Sequence, residues 1–486
     1  MLIDKILSLE NKELLNYKFS KYNLLIWPFI RAYLIEHIYL KETKSDKPSE
    51  RRGKLDLFKN ISYMLKTIKY NPFNYANYKI VFLITQIATT FKIEGKYVNR
   101  LHDYFALEYP ESTLIVEKSE RRAYKLPRYF KNVALEDYMY IYPYLKSLTK
   151  KIDKRDLYNI EAFIEYAGKI FNNYLDYKDL KIIYNRLLTE AVYAPLFYEN
   201  YIKLFKKLKP SVILIYAASG GKRKTSIVKA AKDLSIKSCE FQHGIISHSH
   251  PFYNYSEDLF YSSEYREYLP NYLLTWGEFW NNNMRHPAEK ITVGYPYVIK
   301  RLEEYRKIKK QNNKKRVVLI VSQGTITKIF VNIVKKLLMK LDVSQHNIMF
   351  KLHPGEVPFK ERYSELYKYK GVEIVKSGDI YDMIFKSDIV VACYSTVVFE
   401  VLAFKKPLFI LNNRWSQEYI PKTIGNWFET ADELYKLITS GKIDSKEVNN
   451  NIEYYWEPNW QKNYKRFVED VVGIKTNRRQ LSEKLA

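Results

Sequence analysis

Short, continuous apolar runs recur along this sequence in two consecutive series, and that recurrence limits the fold more than any other feature. The first series holds residues 78–85 (YKIVFLIT), 211–217 (SVILIYA), 236–242 (IKSCEFQ), 272–276 (YLLTW) and 290–293 (KITV). The second holds 316–321 (RVVLIV), 348–352 (IMFKL), 372–375 (VEIV), 389–393 (IVVAC) and 408–411 (LFIL). Runs without polar alternation suit strands of a parallel sheet covered by helices on both faces. Helical stretches fall between them, for instance at 225–234 and 325–341. Two such β/α series predict an α/β protein with two Rossmann-like domains facing each other.

The remaining segments fit around that frame. Residues 1–72 read as a helical, basic amino-terminal region. Residues 73–300 form the first Rossmann-like domain with a helical insertion, its helices near 156–175 and 180–198. Residues 301–316 carry eight Lys and Arg against two Glu and read as a linker. Residues 314–450 form the second domain, and 451–475 a carboxyl-terminal helix packing back across both. The polar stretch 41–54 reads as an exposed loop, and residues after 475 as frayed. Within the first region, 22–39 (YNLLIWPFIRAYLIEHIY) admits two readings: an interfacial helix with aromatic residues at headgroup level, or a helix packed on the neighbouring domain. Pro28, Arg31, Glu36 and His37 interrupt the segment, so it does not read as a membrane span.

With 47% hydrophobic and 28% charged residues the chain reads as globular. Its formal charge of +26 admits nucleic acid, an anionic membrane surface or a phosphorylated small molecule as partner. A Lys-, Asn- and Tyr-rich source genome accounts for the surplus equally well. No helix-turn-helix, RNA-binding or zinc pattern supports nucleic acid. The two cysteines, Cys239 and Cys393, form no metal or disulfide spacing. No signal-peptide pattern opens the chain. The expectation is a cytoplasmic protein, with a peripheral place at the inner face of the membrane left open.

In open α/β sheets ligands gather beyond the carboxyl ends of the strands. Four such places stand out. His353-Pro354 follows the strand at 348–352, where a histidine can donate to a phosphate. Ser395 and Thr396 begin a helix, where free backbone N–H groups and the helix dipole favour an anion, although both residues also cap helices without any ligand. Glu400 follows one turn later, placed to accept from ribose hydroxyls. His243, in Phe241-Gln242-His243-Gly244, ends a strand of the first domain and could take a proton from an acceptor hydroxyl. The turns Ser219-Gly220-Gly221-Lys222 and Gln323-Gly324-Thr325 could each cradle phosphate or a sugar carboxylate, without P-loop or dinucleotide spacing. His248 and His250 follow His243 closely but lack a third ligand at metal spacing, and no Asp-x-Asp occurs. No metal and no cofactor is expected.

Residues 387–411 (SDIVVACYSTVVFEVLAFKKPLFIL) resemble the donor-binding segment of GT-B glycosyltransferases and of CDP-glycerol glycerophosphotransferases. His353-Pro354 resembles the HP motif of bacterial sialyltransferases, polysialyltransferases and the glycerophosphotransferases, where it contacts the phosphate of a cytidine nucleotide. FQHGI is similar to the HG element of the glycerophosphotransferases, whose histidine is the proposed base, and KITVGYP to the strand and turn closing their first domain. The similarity spans about residues 211–440. Cys393 stands where the glycerophosphotransferases usually carry Asp, and Glu400 replaces another of their aspartates. The resemblance implies a GT-B glycosyltransferase of the capsule or surface-polysaccharide type, acting without metal on a nucleotide-sugar donor, with a cytidine nucleotide favoured, and on a glycan or glycolipid acceptor. Polyol-phosphate transfer and nucleotide-sugar 2-epimerisation are the alternatives. On this reading His243 is the base, and His353, Pro354, Ser395, Thr396, Glu400, Gln323, Gly324 and Thr325 hold the donor.

Overall fold

The computed structural model describes residues 2–43, 57–86, 91–120, 123–308, 314–440 and 452–474. The expected loop at 41–54, the tail after 475, the middle of the expected linker and the span 441–450 therefore lie wholly or largely outside the described residues.

Each apolar series builds one fully parallel sheet. The first contains β1 (Ile80–Thr85), β2 (Thr113–Lys118), β3 (Val133–Leu135), β4 (Val212–Tyr216), β5 (Lys237–Phe241), β6 (Tyr272–Thr275) and β7 (Glu289–Thr292). Its strand order is β7-β6-β5-β4-β1-β2-β3. The second contains β8 (Arg316–Val321), β9 (His346–Lys351), β10 (Val372–Val375), β11 (Ile389–Ala392), β12 (Leu408–Leu411) and β13 (Asn426–Phe428), ordered β10-β9-β8-β11-β12-β13. Both orders are the doubly wound one, in which the chain reverses direction across the sheet beside its first strand. The switch points therefore lie between β1 and β4 and between β8 and β11. The α/β class with two Rossmann-like domains, as expected of a GT-B arrangement, is what the chain adopts.

Three strands of these two sheets were not among those read from the sequence: β2, β3 and β13. In β2 the apolar pattern breaks at Glu117, which is wholly buried and accepts from Arg128 Nε at 2.8 Å. Arg128 also forks onto both oxygens of the equally buried Asp103, at 2.9 Å each. β3 and β13 are only three residues long. The helical insertion falls near its expected place as α2 (Lys154–Ile170) and α3 (Tyr177–Leu208). The expected linker is partly helix: α5 (Pro296–Arg306) has Leu302 and Tyr305 buried, and Arg301 reaches Asp382 at 2.6 Å. Residues 309–313 lie outside the described ones.

The amino-terminal helix α1 (Trp27–Glu42) belongs to the interior. Trp27, Phe29, Ile30, Leu34, Ile35 and Ile38 are buried, and Trp27 Nε1 donates to Glu10 Oε1 at 3.0 Å. Of the two readings for this segment, the packed helix holds and the interfacial one fails, because its apolar residues already face protein. Among the described residues no helix is long and apolar enough to cross a membrane. Arg31 of α1 is buried between Glu10 and the loop that follows β5, donating to the carbonyls of Pro251 at 2.6 Å and Asn254 at 2.7 Å.

The chain crosses between domains twice, at neighbouring points. The first crossing follows Tyr295 through the 296–306 helix. The second is the return from the second domain through Tyr454, Tyr455 and Trp456 to α7 (Trp460–Val472), which packs on the first sheet beside Phe105, Phe241 and Leu274. Trp456 donates to the Phe399 carbonyl at 3.0 Å, Trp280 donates to the Tyr455 carbonyl at 2.9 Å, and the Trp456 and Tyr295 rings lie 6.0 Å apart. Gly277 and Gly294 are glycines for a steric reason: a Cβ on either would collide with backbone of this returning segment.

Candidate functional site

The loops at the two switch points bring most of the expected residues to strand ends, one group per domain. In the second domain, β8 runs into Ser322-Gln323-Gly324-Thr325 and β9 into His353-Pro354. β11 runs into Cys393-Tyr394-Ser395, and Ser395 caps α6 (Thr396–Ala403). Side chains stitch these turns together. Gln323 Nε2 donates to the Tyr394 carbonyl at 2.9 Å, and the Thr325 hydroxyl contacts that of Tyr394. The Ser322 hydroxyl accepts from the His353 backbone N–H at 2.9 Å and donates to Glu356 Oε2 at 2.7 Å. Glu356 is buried and also takes bonds from Thr327 and Tyr363. It thus fixes the floor under two turns. Sequence reading missed it because nothing in a single carboxylate three residues after His353 announces burial.

His353 is exposed at the mouth of this floor. Its Nδ1 accepts from Gly355 N–H at 3.1 Å, so the neutral ring carries its proton on Nε2. Surrounding protein atoms, with Lys351 and Arg100, hold its pKa below the usual value against the pull of Glu356. The ring is therefore a neutral donor, suited to a phosphate oxygen. Ser395 Oγ accepts from Val397 N–H at 3.3 Å and keeps its own proton to donate. Cys393 is buried, with its thiol pushed up by that burial.

Glu400 differs from its expected setting. It is buried at the domain interface rather than open beside Ser395 and Thr396, and burial pushes its pKa up to about 7 while Arg100 pulls it back. Arg100 comes from the other domain. Glu400 Oε2, Arg100 Nε and the Tyr381 hydroxyl are all buried without a hydrogen bond of good geometry, although Tyr381 and Thr396 lie close enough to Glu400 to help pull its pKa back. Three polar atoms so placed on both sides of one interface are unusual in a folded protein. Arg100 was not recognised in the sequence, where it sits among unpatterned residues between β1 and β2.

In the first domain His243 follows β5 at the edge of the cleft. Its side chain is 17% exposed, whereas Glu240 behind it is wholly buried. Tyr253 donates to Glu240 Oε1 at 2.9 Å, and its oxygen lies 3.4 Å from His243 Nδ1. With the tyrosine proton committed to the carboxylate, Nδ1 must supply the hydrogen for that contact, which leaves the Nε2 lone pair free. Glu240 also accepts from Ser219 N–H at 2.8 Å and from the Ser219 hydroxyl at 2.6 Å. His286, whose Nδ1 accepts from Ala288 N–H, donates in turn to Ser219. The expected role of Ser219 in holding a ligand is thereby corrected: its side chain is buried and fully used in supporting Glu240. Gly220, Gly221 and Lys222 do line an open cavity. Gly221 has φ +71, and a Cβ there would press on Pro28 O of α1 at 3.3 Å.

Burial, then the charges of Lys224 and His250, lower the pKa of His243 to about 3, so the ring is neutral throughout the physiological range. Rings join the two groups across the interface: Tyr253 to His250 at 4.9 Å, His250 to Tyr419 at 6.1 Å, and Tyr419 to Tyr394 at 5.7 Å. The loop bearing His243 thus rests, through His250, on the residue preceding Ser395. Among the described residues no group of three or more His, Cys, Asp or Glu is placed to hold a metal ion.

Residues 305–467 match the family model of CDP-Glycerol:Poly(glycerophosphate) glycerophosphotransferase. The matched segment takes in the whole second sheet and most of α7, and is less than half of the chain. No curated protein sequence matches. Among solved structures, the UDP-GlcNAc 2-epimerase of Methanocaldococcus jannaschii is 12% identical, with a TM-score of 0.46 over 80% of this chain and 99% of its own. The UDP-GlcNAc 2-epimerase of Neisseria meningitidis is 12% identical, with a TM-score of 0.47 over 81% and 100%. MurG of Acinetobacter baumannii is 10% identical, with a TM-score of 0.39 over 82% and 100%. The family match supports a transferase that uses a nucleotide-activated donor.

Proposed function

We propose that the protein transfers a sugar or a polyol phosphate from a nucleotide-activated donor, a cytidine nucleotide being favoured, to a hydroxyl of a surface-glycan or glycolipid acceptor. The observation that carries this reading is the family match over the domain whose strand ends gather His353, Ser395 and Thr396. His243 Nε2 takes the proton of the acceptor hydroxyl, and Glu240 steadies the resulting imidazolium through Tyr253. The acceptor oxygen then forms a bond to the donor's electrophilic atom. The bond from that atom to the bridging oxygen of the nucleotide breaks, leaving its electron pair on the nucleotide phosphate. His353 Nε2–H, the hydroxyls of Ser395 and Thr396 and the amino terminus of α6 stabilise that charge.

Two forms of this chemistry differ only in the electrophile. In glycosyl transfer it is the anomeric carbon; in polyol-phosphate transfer it is phosphorus. The family match favours the second form, and Cys393, in place of the usual aspartate, favours the first. Thermal-shift measurement with CMP, CDP, UMP and UDP identifies the base, because a ligand bound only to the folded state raises Tm. Phosphorus NMR of the product then separates the two forms, since only polyol-phosphate transfer creates a new phosphodiester. Conversion of a nucleotide sugar without any acceptor would defeat the proposal in favour of an epimerase.

A further inference from the structure

The family match does not reach the first domain's switch point, yet a cavity of about 350 Å³ opens there, lined by the ends of β1, β2 and β4 and by the turn into α4 (Arg223–Asp233). Four cationic side chains line it: Lys118, Lys222, Arg223 and Lys224. Glu136 is the single carboxylate, and it is already held by Arg223 at 3.0 Å and by the Tyr201 hydroxyl at 2.6 Å. Among the described residues neither Lys118 nor Lys224 forms an ion pair at contact distance, although Glu136 and Asp137 act on Lys118, and Glu240 and Glu136 on Lys224, from further away. Arg223 Nε is buried without a hydrogen bond. The Lys224 ammonium folds back over Gly220, 3.8 Å from where a Cβ would stand, and lies 5.0 Å from the centre of the Tyr216 ring. His243 packs against that same ring, with centroids 4.5 Å apart.

From this geometry we infer that the cavity is a second anion site, which binds a phosphate or diphosphate group of the acceptor and so presents an acceptor hydroxyl to His243. The inference rests on the reading of His243 as the acceptor-side base. A phosphomonoester carries about −1.5 to −2 charges and three acceptor oxygens, which suits a cavity whose lining holds four cationic side chains and one carboxylate better than a single sugar carboxylate would. Desolvation and the neighbouring Arg223 push Lys224 down to about 8 and Lys118 below its usual range, against the opposing pull of Glu240 and Glu136 on the first and of Glu136 and Asp137 on the second. The site is also coupled to the base. Lys224 is among the charges that depress His243, second to burial, so an anion bound there relieves that part of the depression and makes the imidazole a somewhat stronger base when the acceptor is in place.

Calorimetric titration of inorganic pyrophosphate into the full chain tests the site. Lys118→Gln/Lys224→Gln should weaken binding about tenfold or more, whereas Lys118→Arg/Lys224→Arg and His353→Ala/Ser395→Ala should retain it. Wild-type affinity in the double glutamine variant overturns the inference, as does loss of binding only in the His353/Ser395 pair. Should the double variant not fold, Lys118→Gln alone, at the exposed rim, gives the same reading. Unchanged nucleotide affinity in the His353/Ser395 pair would defeat the donor assignment while leaving this site standing. Phosphatidylglycerol vesicles that displace pyrophosphate, where phosphatidylcholine vesicles do not, assign the phosphate to a lipid headgroup. A soluble phosphorylated glycan that displaces it, where vesicles do not, assigns it to that source.

Discussion

His243 and Tyr216 pack ring against ring, their centroids 4.5 Å apart, at the end of adjacent parallel strands of the first sheet. Tyr216, which also lines the cationic cavity, therefore backs one face of the imidazole, and Tyr253 with Glu240 holds it at Nδ1. Only the remaining nitrogen is left for chemistry. His243→Ala should abolish turnover and leave nucleotide affinity unchanged, because the donor lies on the other domain. Tyr253→Phe should lower kcat by roughly ten- to a hundredfold with little change in KM, in keeping with the usual worth of orienting a general base. Steady-state kinetics beside nucleotide titration checks both.

Stability should fall as the solution is acidified from neutrality. His102, His243 and His286 are pushed down to about 3 and His250 to about 4, in each case chiefly by burial. In the unfolded chain each would titrate near about 6.5. Below that pH the unfolded state takes up protons that the folded state refuses, so stability is present at neutral pH and is lost progressively toward pH 4. Urea denaturation between pH 7 and 5 should show the decline. His102→Phe should flatten it, since this ring sits among Phe82, Tyr216 and Phe241 with Nε2 unbonded.

Glu400→Gln should separate binding from stability. Burial raises the Glu400 pKa above its unfolded value, so ionising it within the protein works against folding as pH rises through that range. The glutamine variant should keep or raise Tm at pH 8. It should nonetheless bind nucleotide about tenfold more weakly, the scale of one lost hydrogen bond to a charged group. A Tm drop with unchanged affinity would reverse both halves of the expectation.

Arg31→Met should cost about 3–5 kcal/mol, the scale for breaking a buried ion pair, since it strands Glu10 and frees the carbonyls of Pro251 and Asn254. The same loop bears His250 and Tyr253, so activity at permissive temperature should fall further than the loss of folded protein explains. Denaturation midpoints and kcat on the folded fraction measure the two effects apart.

How far the sequence revealed this molecule depended on whether an element announced itself locally. Runs such as RVVLIV and SVILIYA have no plausible exposed face, and they became strands within a residue of where they were read. β2 hid because Glu117 belongs to a buried cluster whose partners, Asp103 and Arg128, are remote in sequence. The site divided in the same way. Residues directly after strands, His243, His353 and Ser395, could be found from topology alone. Arg100, Glu356 and Lys118 could not, because their meaning comes from a second domain, a neighbouring turn or a shared cavity. Ser219 was misplaced for the converse reason: its turn faces the cavity, but its hydroxyl points back to Glu240.

The two neighbouring crossings of the chain, joined through Tyr295 and Trp456 and anchored at Phe399 by Trp456, act as the spine of a book. Rotation about that spine is the movement least opposed by the covalent chain. It would part Arg100 from Glu400 and His250 from Tyr419 without disturbing either sheet. The His250–Tyr419 ring contact, the Arg100 charge facing Glu400 and the apolar core shared by the two domains, rather than the strands, then hold the cleft shut, with polar atoms of Arg100, Glu400 and Tyr381 buried beside it.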